Sequence, residues 1–470
     1  MFKNFLWAFI EKGGQFSFQL VGVIVMSRFL TPQEYGIYGI MAIFITVSEQ
    51  LIDSGFGGAL VQKKQINQND INTLFTSNLL ISIILYILIF VLAPLVAKIY
   101  SINELTIYLR SLGIVIILYA FTIVQETLLQ RELKFFTSAK ITLASTIISV
   151  GGAILIAFYG YGIWSLIIQP ILMAFSMAIF TWCFVKRKVS IGFSYLSFRE
   201  LWNFGSKLLA ANLLQTAYSN ICTSIIPKIS SIRESGLYFQ ASRINNIPNG
   251  ILQTTINKAS FPILSKKENS NDMLSSARNI NRTIYALVLP FFPLLSILAA
   301  EVLYIVLGPQ WTEGSSYLEI LAWGGIGSLI QTCYRNIVKS SGKTEKILFV
   351  DITKVLIGLF ILACAIPLGT LFLVYGLTAS MIIGAVIYSF VVCKNLNFGL
   401  HNQISDIIKP LINSVICYLS FKWIYTFLSF NWLNIFLSFA YVFEYMVLAY
   451  IVKQKEITTI INKIILKRIL

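Results

Sequence analysis

The sequence predicts an all-α integral membrane protein with about fourteen transmembrane helices, arranged as two parallel six-helix repeats followed by two C-terminal helices. Three observations lead to this class: the composition, the spacing of the apolar runs, and motifs that occur twice. Of the 470 residues, 57% are hydrophobic and 12% are charged. Because soluble domains have about 45–50% apolar and roughly 25% charged residues, this composition excludes a soluble globular protein.

Apolar runs long enough to cross a bilayer, which takes about twenty residues, follow one another along the chain with short polar breaks. Fourteen such runs are predicted at 11–31, 36–58, 75–99, 107–129, 140–159, 161–185, 205–227, 244–264, 283–307, 316–339, 347–366, 370–393, 409–428 and 431–452. The segments before the first run and after the last have apolar residues at helical spacing, so both are predicted to lie in the membrane interface.

The formal net charge of +16 comes from basic residues in the gaps between apolar runs, rather than from one patch. This distribution is typical of cytoplasmic loops and not of a nucleic-acid surface. With the N-terminus inside, most lysines and arginines lie on the cytoplasmic side, so we predict that both termini are cytoplasmic. The six cysteines lack Cys-x-x-Cys spacing, and neither a disulfide, a metal site nor a cofactor is predicted.

A short motif occurs twice, as Glu34–Tyr38 and again 200 residues later as Glu234–Tyr238. A lysine pair and an Asn/Asp-rich loop then follow in each half, and Tyr161-Gly162 is echoed by Tyr375-Gly376. Since each repeat has an even number of spans, the repeats enter the membrane in the same direction and enclose a site near the midplane. The predicted domains are a lobe at 1–200, a lobe at 201–400, and two additional helices with a basic amphipathic cytoplasmic tail at 401–470.

The first, second, seventh and eighth predicted helices are the least apolar. Polar atoms at membrane depth must face a partner or water, so these helices are predicted to face an interior cavity. The predicted substrate-binding residues are Arg28, Lys207, Asn212, Gln215, Arg243 and Lys258. Structural alternatives stay open for the cations: Arg28 as an interfacial anchor, Arg243 as a satisfied helix-end charge, and the lysines as snorkelling side chains.

Glu49 and Asp53 share one face of the second helix at a spacing of four residues. They are expected either to bind a coupling proton or cation, or to pair with a neighbouring basic residue. Arg335, Lys339 and Lys354 are interpreted as charges that set topology. No catalytic residue is predicted, because the single histidine, His401, is expected on a cytoplasmic loop.

The stretches Ser27–Tyr38 and Leu51–Lys64 resemble the opening of bacterial Wzx-type polysaccharide flippases, especially the WzxC-like branch. These proteins belong to the multidrug/oligosaccharidyl-lipid/polysaccharide exporter superfamily. The resemblance implies a non-enzymatic protein of the bacterial plasma membrane that moves an undecaprenyl-pyrophosphate-linked oligosaccharide to the outer leaflet by alternating access. It also implies a cationic cavity, a groove for the lipid tail beside the two appended helices, and polymerase and glycosyltransferase partners.

Two other functions stay open. A multidrug or small-molecule cation antiporter of the same superfamily would depend on acidic rather than basic cavity residues. A membrane-embedded polysaccharide polymerase or glycosyltransferase is less expected, because such an enzyme needs acids or bases on a substantial external loop.

Overall fold

The structure, a computed structural model, describes residues 2–53, 65–185, 189–265, 269–396, 398–425 and 433–452, with positions 57, 60, 63, 267, 454 and 456–458. Over these residues the chain forms helices and no strand. The first eight helices are α1 (Phe2–Phe29), α2 (Pro32–Asp53), α3 (Gln68–Tyr100), α4 (Leu105–Arg131), α5 (Phe135–Phe158), α6 (Trp164–Phe184), α7 (Tyr195–Ile229) and α8 (Ile232–Ser265). The others are α9 (Ser270–Val288), α10 (Phe291–Ile297), α11 (Ala299–Val306), α12 (Ser315–Ser340), α13 (Thr344–Ala365), α14 (Thr370–Leu396), α15 (Leu400–Tyr425) and α16 (Leu433–Ile451).

The chain forms two compact units, Met1–Phe239 and Gln240–Leu470. In the first unit α4 packs against α3 and α6, α5 packs against α1 and α6, and α2 packs against α7. Its main apolar cluster lies between α2, α3, α4 and α6. The fully buried members include Ile40, Leu105, Ile116 and Ile167.

The second unit repeats three of these pairings with the next set of helices. Here α12 packs against α10 and α14, and α13 packs against α14, while α15 contacts α9 and α16. Gly327 of α12 lies against the backbone of Met381 in α14. Small residues allow such close backbone approach between helices in a membrane, where burial from water contributes little to their association.

Nine helices in the described part of the chain are long and apolar enough to cross a membrane. The other long helices are α1, α7, α8, α12 and α16. The first three of these belong to the four spans that the sequence identifies as the least apolar, and the apolar part of α16, Ser438–Ile451, is short. The structure confirms the all-α membrane class, whereas the count of fourteen spans and the domain boundaries at 200 and 400 stay predictions.

Several helices extend beyond the predicted apolar runs. The chain forms one helix from Phe2 to Phe29, without a break between the N-terminal amphipathic segment and the first span. α8 begins at Ile232 instead of 244, and α15 begins at Leu400, so His401 lies in a first helical turn and not in a loop. Polar first turns add to a helix without adding to its apolar run, so hydropathy misses them. The amphipathic tail after 458 lies outside the described residues.

The repeated motif begins α2 and α8 with the same type of cap. The Thr31 backbone N–H donates to the Glu34 carboxylate at 2.7 Å, and the Thr31 hydroxyl donates to it at 2.9 Å. In the second copy the Glu234 backbone N–H donates to the Ser231 hydroxyl at 3.1 Å. Both segments read Ser/Thr-x-x-Glu, the capping-box pattern that satisfies the unpaired N–H groups of a first turn.

The Asn/Asp-rich loops and the later turns also correspond between the two halves. Asn67 precedes α3 and donates its backbone N–H to the Asp70 carboxylate at 3.0 Å, while the Asn269 side chain caps α9 by accepting from Asn271 at 3.1 Å. The residues just before α5 and α13, Lys134 and Lys343, have nearly identical backbone angles. The repeat inferred from short sequence matches therefore recurs in local structure.

The two copies of the motif contact each other within the first unit. A β-carbon at Gly36 would collide with the carbonyl oxygen of Ile232, and one at Gly236 would collide with the carbonyl oxygen of Pro32. Gly36 therefore faces the residue four positions before Gly236, and Gly236 faces the residue four positions before Gly36. Two equivalent copies of one motif produce this reciprocal contact. α2 and α8 cross at their first turns with backbone against backbone, and glycine is required there because any side chain would separate them.

We expect Gly236→Ala to destabilise the protein, because its added methyl group meets backbone atoms that cannot move aside. Overpacking of this kind costs about 1–3 kcal/mol, so the thermal unfolding midpoint in detergent is expected to fall by about 1–3 °C. Gly250→Ala is the matched control, since Gly250 lies in the same helix with open space around it. Equal midpoints for the two variants would contradict the close crossing.

Candidate substrate-binding and ion-coupling residues

The predicted substrate-binding residues of the first unit lie on α1 and α7. Arg28 is exposed in the last turn of α1. On α7, Asn212 is half-buried and Gln215 is exposed, one turn apart. Lys207 lies on the same helix, but its side chain is outside the described residues. The structure therefore brings Asn212 and Gln215 together, and the grouping of Arg28 and Lys207 with them stays a prediction.

The other two predicted cations belong to the second unit. Arg243 is half-buried near the start of the Gln240–Ser265 part of α8, and Lys258 is exposed four turns further along. Between them Asn249 is buried, and its amide donates to the carbonyl oxygen of Asn245 at 2.8 Å. α8 therefore combines cations with amides along much of its length.

Two buried amides escaped the analysis of the sequence. The Gln240 side chain in α8 is fully buried, and neither of its amide atoms has a hydrogen-bond partner among the described residues. The same holds for Asn78 in α3. A buried amide without a partner costs about 1–3 kcal/mol, so these groups call for a water molecule, a ligand or a second conformation. The feature of the sequence that identifies these two residues is an amide side chain within an apolar span.

The predicted coupling pair of α2 has a third acid nearby. Glu126 of α4 interacts electrostatically with Lys12 and Glu11 of α1 and with Asp53. The Tyr119 hydroxyl of α4 interacts with Glu49, Asp53 and Glu126. Asp53 also accepts a hydrogen bond from the backbone N–H of Gly57. The sequence signal for Glu126 is an acid inside an apolar run.

In the described part of the chain, no group of three or more histidine, cysteine, aspartate or glutamate side chains is arranged to hold a metal ion. Glu49 and Asp53 are half-buried, and neither forms a salt bridge with another described residue. Carboxyl groups that share a confined space favour protonation of one of them, because like charges repel.

Several charges away from these helices are engaged in structural pairs. The Arg335 guanidinium of α12 lies 3.1 Å from the Asp351 carboxylate of α13, to which Tyr388 also donates at 3.0 Å. Lys354 approaches Gln331 at 3.4 Å. These contacts hold helices together, and the interpretation of Arg335, Lys339 and Lys354 as charges that set topology stays a prediction.

In the loop before α3, Lys63 lies 2.7 Å from Glu200 and 2.9 Å from Asp70. Partial burial alone would lower the pKa of Lys63, but its hydrogen bonds to Glu200 and Asp70 raise that pKa above the ordinary value. Lys63 is therefore positively charged at neutral pH and joins the loop to the starts of α3 and α7.

Comparison with known proteins places this arrangement in a family. Residues 25–316, more than half of the chain, match the family described as "Polysaccharide biosynthesis protein". Teichuronic acid biosynthesis protein TuaB of Bacillus subtilis (strain 168) is 24% identical over 413 residues, covering 86% of this chain and 84% of TuaB. Lipopolysaccharide biosynthesis protein WzxC of Escherichia coli (strain K12) is 21% identical over 316 residues, covering 65% of this chain and 63% of WzxC.

Among solved structures, lipid II flippase MurJ in its inward closed conformation has the same fold. Its TM-score is 0.78 at 14% identity, and the match covers 96% of this chain and 99% of MurJ. The resemblance to WzxC-type proteins and the membrane-transporter fold are thereby confirmed. The chain belongs to the polysaccharide biosynthesis protein family.

Proposed function

We propose that this protein is a flippase that moves an undecaprenyl-pyrophosphate-linked oligosaccharide from the inner to the outer leaflet of the bacterial plasma membrane. The cargo is the repeat unit of an O-antigen, a capsule or an exopolysaccharide. The observation that supports the proposal best is the concentration of cations and amides on α1, α7 and α8, in a chain with the MurJ fold.

The charges of the cargo explain why such helices are needed. Even one charge at the bilayer centre costs about 2.5–3.5 kcal/mol on insertion scales, and a pyrophosphate carries more than one. Lysine and arginine lower that barrier through charge-assisted hydrogen bonds to phosphate oxygens, and arginine can bind two oxygens at once. In the proposal Arg28, Lys207, Arg243 and Lys258 supply these contacts in a wet chamber that opens alternately to the two sides.

The amides of α7 and α8 suit the glycan. Asn212 and Gln215 each offer both donors and acceptors, which sugar hydroxyl groups require. The buried Gln240 has unused donors and acceptors of the same kind among the described residues. An amide that is unsatisfied in one conformation and engaged by sugar in another would favour binding without a permanent charge.

We propose that the acidic group of Glu49, Asp53 and Glu126 couples transport to a proton. Glu49 and Asp53 lie in the last turns of α2, and the crossing of Gly36 with α8 lies in its first turns. Protonation at one end of α2 would remove repulsion from Glu126 and change how that end packs. The crossing at the other end would transmit the change as a tilt of the helix.

The same proposal gives the protein its cellular setting. The excess of lysine and arginine in alternate loops supports cytoplasmic N- and C-termini. Glycosyltransferases would supply the lipid-linked glycan on the cytoplasmic side, and a polymerase would consume it on the other side. The protein itself carries out transport and makes or breaks no bond.

We expect purified protein in liposomes to move a fluorescent undecaprenyl-pyrophosphate-linked glycan between leaflets, measured by access of an external quencher. Liposomes without protein give the background rate. A cation antiporter would instead export a small organic cation in exchange for protons. Export of that cation without movement of the glycan lipid would overturn the proposal in favour of the antiporter.

Replacing each proposed cation by alanine, in Arg28→Ala, Lys207→Ala, Arg243→Ala and Lys258→Ala, tests the binding residues. Loss of one charge-assisted hydrogen bond, worth about 1.5–3 kcal/mol, should slow flipping by roughly ten- to a hundredfold. Lys98→Ala is the control, because Lys98 is exposed at the end of α3 and has no proposed role. If a variant flipped the glycan lipid as fast as the Lys98→Ala control, the replaced residue would not belong to the proposed binding site.

Glu126→Gln should abolish the response of flipping to an imposed pH gradient, because a neutral amide has no proton to exchange. Binding of the glycan lipid, measured by fluorescence anisotropy, should be unchanged. Glu345→Gln, at an exposed position in the first turn of α13, is the control. If Glu126→Gln responded to the gradient like wild type, the acidic group would have no coupling role.

A further inference from the structure

Helices α9 and α15 of the second unit are joined by a buried cluster of charges. The Asp406 side chain is only 3% exposed and lies 2.9 Å from the Arg278 Nη2 and 2.6 Å from the Arg282 Nε. Arg278 also donates through its Nε at 3.0 Å. Two guanidinium groups share one carboxylate, so the cluster keeps an excess positive charge beside its outer edge.

A polar cavity of about 250 Å³ adjoins this cluster. Its lining residues are Arg282, Ser405, Asp406, Lys409, Pro410, Gln454 and Glu456. The Lys409 ammonium contacts only the carbonyl oxygen of Val452, at 3.5 Å, and forms no ion pair within the described ranges. Glu456 likewise has no ion pair there. One cation and one anion thus face the same cavity without neutralising each other.

Gln454 adds a buried amide to the cavity. Its side chain is 3% exposed and lies beside the Tyr445 hydroxyl, and its carbonyl oxygen accepts no hydrogen bond in the part of the chain that the structure describes. A buried amide in this state is costly unless something in the cavity meets it. The three features together fit a ligand group that carries a negative and a positive charge a few ångströms apart, together with hydrogen-bond donors.

A second, apolar groove of about 300 Å³ lies near the polar cavity. It starts at Ala286, one helical turn beyond Arg282 on α9, and is lined by Leu287, Phe291, Leu294, Val442 and Met446, among others. Ile457 lines the groove, while its neighbour Glu456 lines the cavity. The Tyr445 hydroxyl donates to the Ala286 carbonyl oxygen at 2.8 Å, and this hydrogen bond joins α16 to α9 beside the groove.

We propose that α9, α10, α15, α16 and residues 454, 456 and 457 form a binding site for one phosphatidylethanolamine molecule of the surrounding bilayer. The phosphate lies against Arg282 and Lys409, the ammonium lies against Glu456 and the Gln454 carbonyl oxygen, and one acyl chain follows the groove. This lipid is a resident of the site and not the transported cargo.

Charge complementarity selects this headgroup over other membrane lipids. Phosphatidylglycerol would satisfy Arg282 and Lys409, but its glycerol hydroxyl groups bring no positive charge to Glu456. The quaternary ammonium of phosphatidylcholine has no N–H, so it forms no hydrogen bond with Glu456 or Gln454. Of the three lipids, phosphatidylethanolamine alone combines a phosphate with an ammonium that forms a charge-assisted hydrogen bond to Glu456.

Native mass spectrometry of the full-length protein in detergent tests the site, with phosphatidylethanolamine, phosphatidylglycerol and phosphatidylcholine of equal chain length. One bound phosphatidylethanolamine should be retained about tenfold more tightly than either other lipid. Lys409→Ala and Glu456→Gln should each remove that preference, because each loses one charge-assisted contact. Lys422→Ala is the control, since Lys422 lies at the other end of α15 and pairs with Glu319 at 3.1 Å.

A reversal of charge separates recognition from folding. Glu456→Lys makes the cavity wholly cationic, so it should switch the preference from phosphatidylethanolamine to phosphatidylglycerol at an unchanged unfolding midpoint. Equal retention of the three lipids by wild type, or an unaltered preference in Glu456→Lys, would overturn the proposal. So would displacement of phosphatidylethanolamine by an equimolar amount of undecaprenyl phosphate, which would assign the groove to the cargo lipid instead.

Discussion

The hydrocarbon of a bilayer offers no water to a polar group, and this constraint governs the structure of the chain at every level. Hydroxyl groups inside the spans donate to carbonyl oxygens one turn earlier, as Thr127 does to Ile123 and Thr146 does to Thr142. The starts of α2, α3, α8 and α9 are closed by side chains of the same segment. Some charges near the helix ends meet opposite charges, as Lys63 meets Asp70. A polar group that lacks such a solution is therefore an exception that requires its own explanation.

The same constraint explains why the internal repeat survives as short motifs. A capping box is set by a few local hydrogen bonds, so it persists wherever a helix must begin at the same place. The crossing of Gly36 and Gly236 persists for a steric reason, because backbone meets backbone there. Lipid-facing residues between these points need only be apolar, and they are free to diverge. A repeat is thus easiest to recognise at turns and close crossings.

Much of the fold could be predicted from the sequence, because the length of an apolar run and the thickness of a bilayer determine most helices. The polar beginnings of α8 and α15 could not, since a hydropathy signal ends before the helix does. The site was harder to predict. Hydropathy identified α1, α2, α7 and α8 as the polar helices, but the approach of Glu126 to Asp53 depends on the rotation of α4. Gln240 and Asn78 escaped because one amide scarcely lowers the hydropathy of a span.

Structural residues differ from functional candidates in whether their polar groups have hydrogen-bond or ion-pair partners. This criterion separates the two classes better than position along the chain does. Arg335 and Asp351 satisfy each other, and so do Arg278 and Asp406, so these charges hold helices together. The amides of Gln240 and Asn78 and the carbonyl oxygen of Gln454 are buried with no partner among the described residues, at a cost of about 1–3 kcal/mol each. A chain that solves the same problem elsewhere with caps and ion pairs has no structural reason to keep them. Their retention is accounted for if the missing partner comes from outside the polypeptide: a sugar hydroxyl, a lipid headgroup or water.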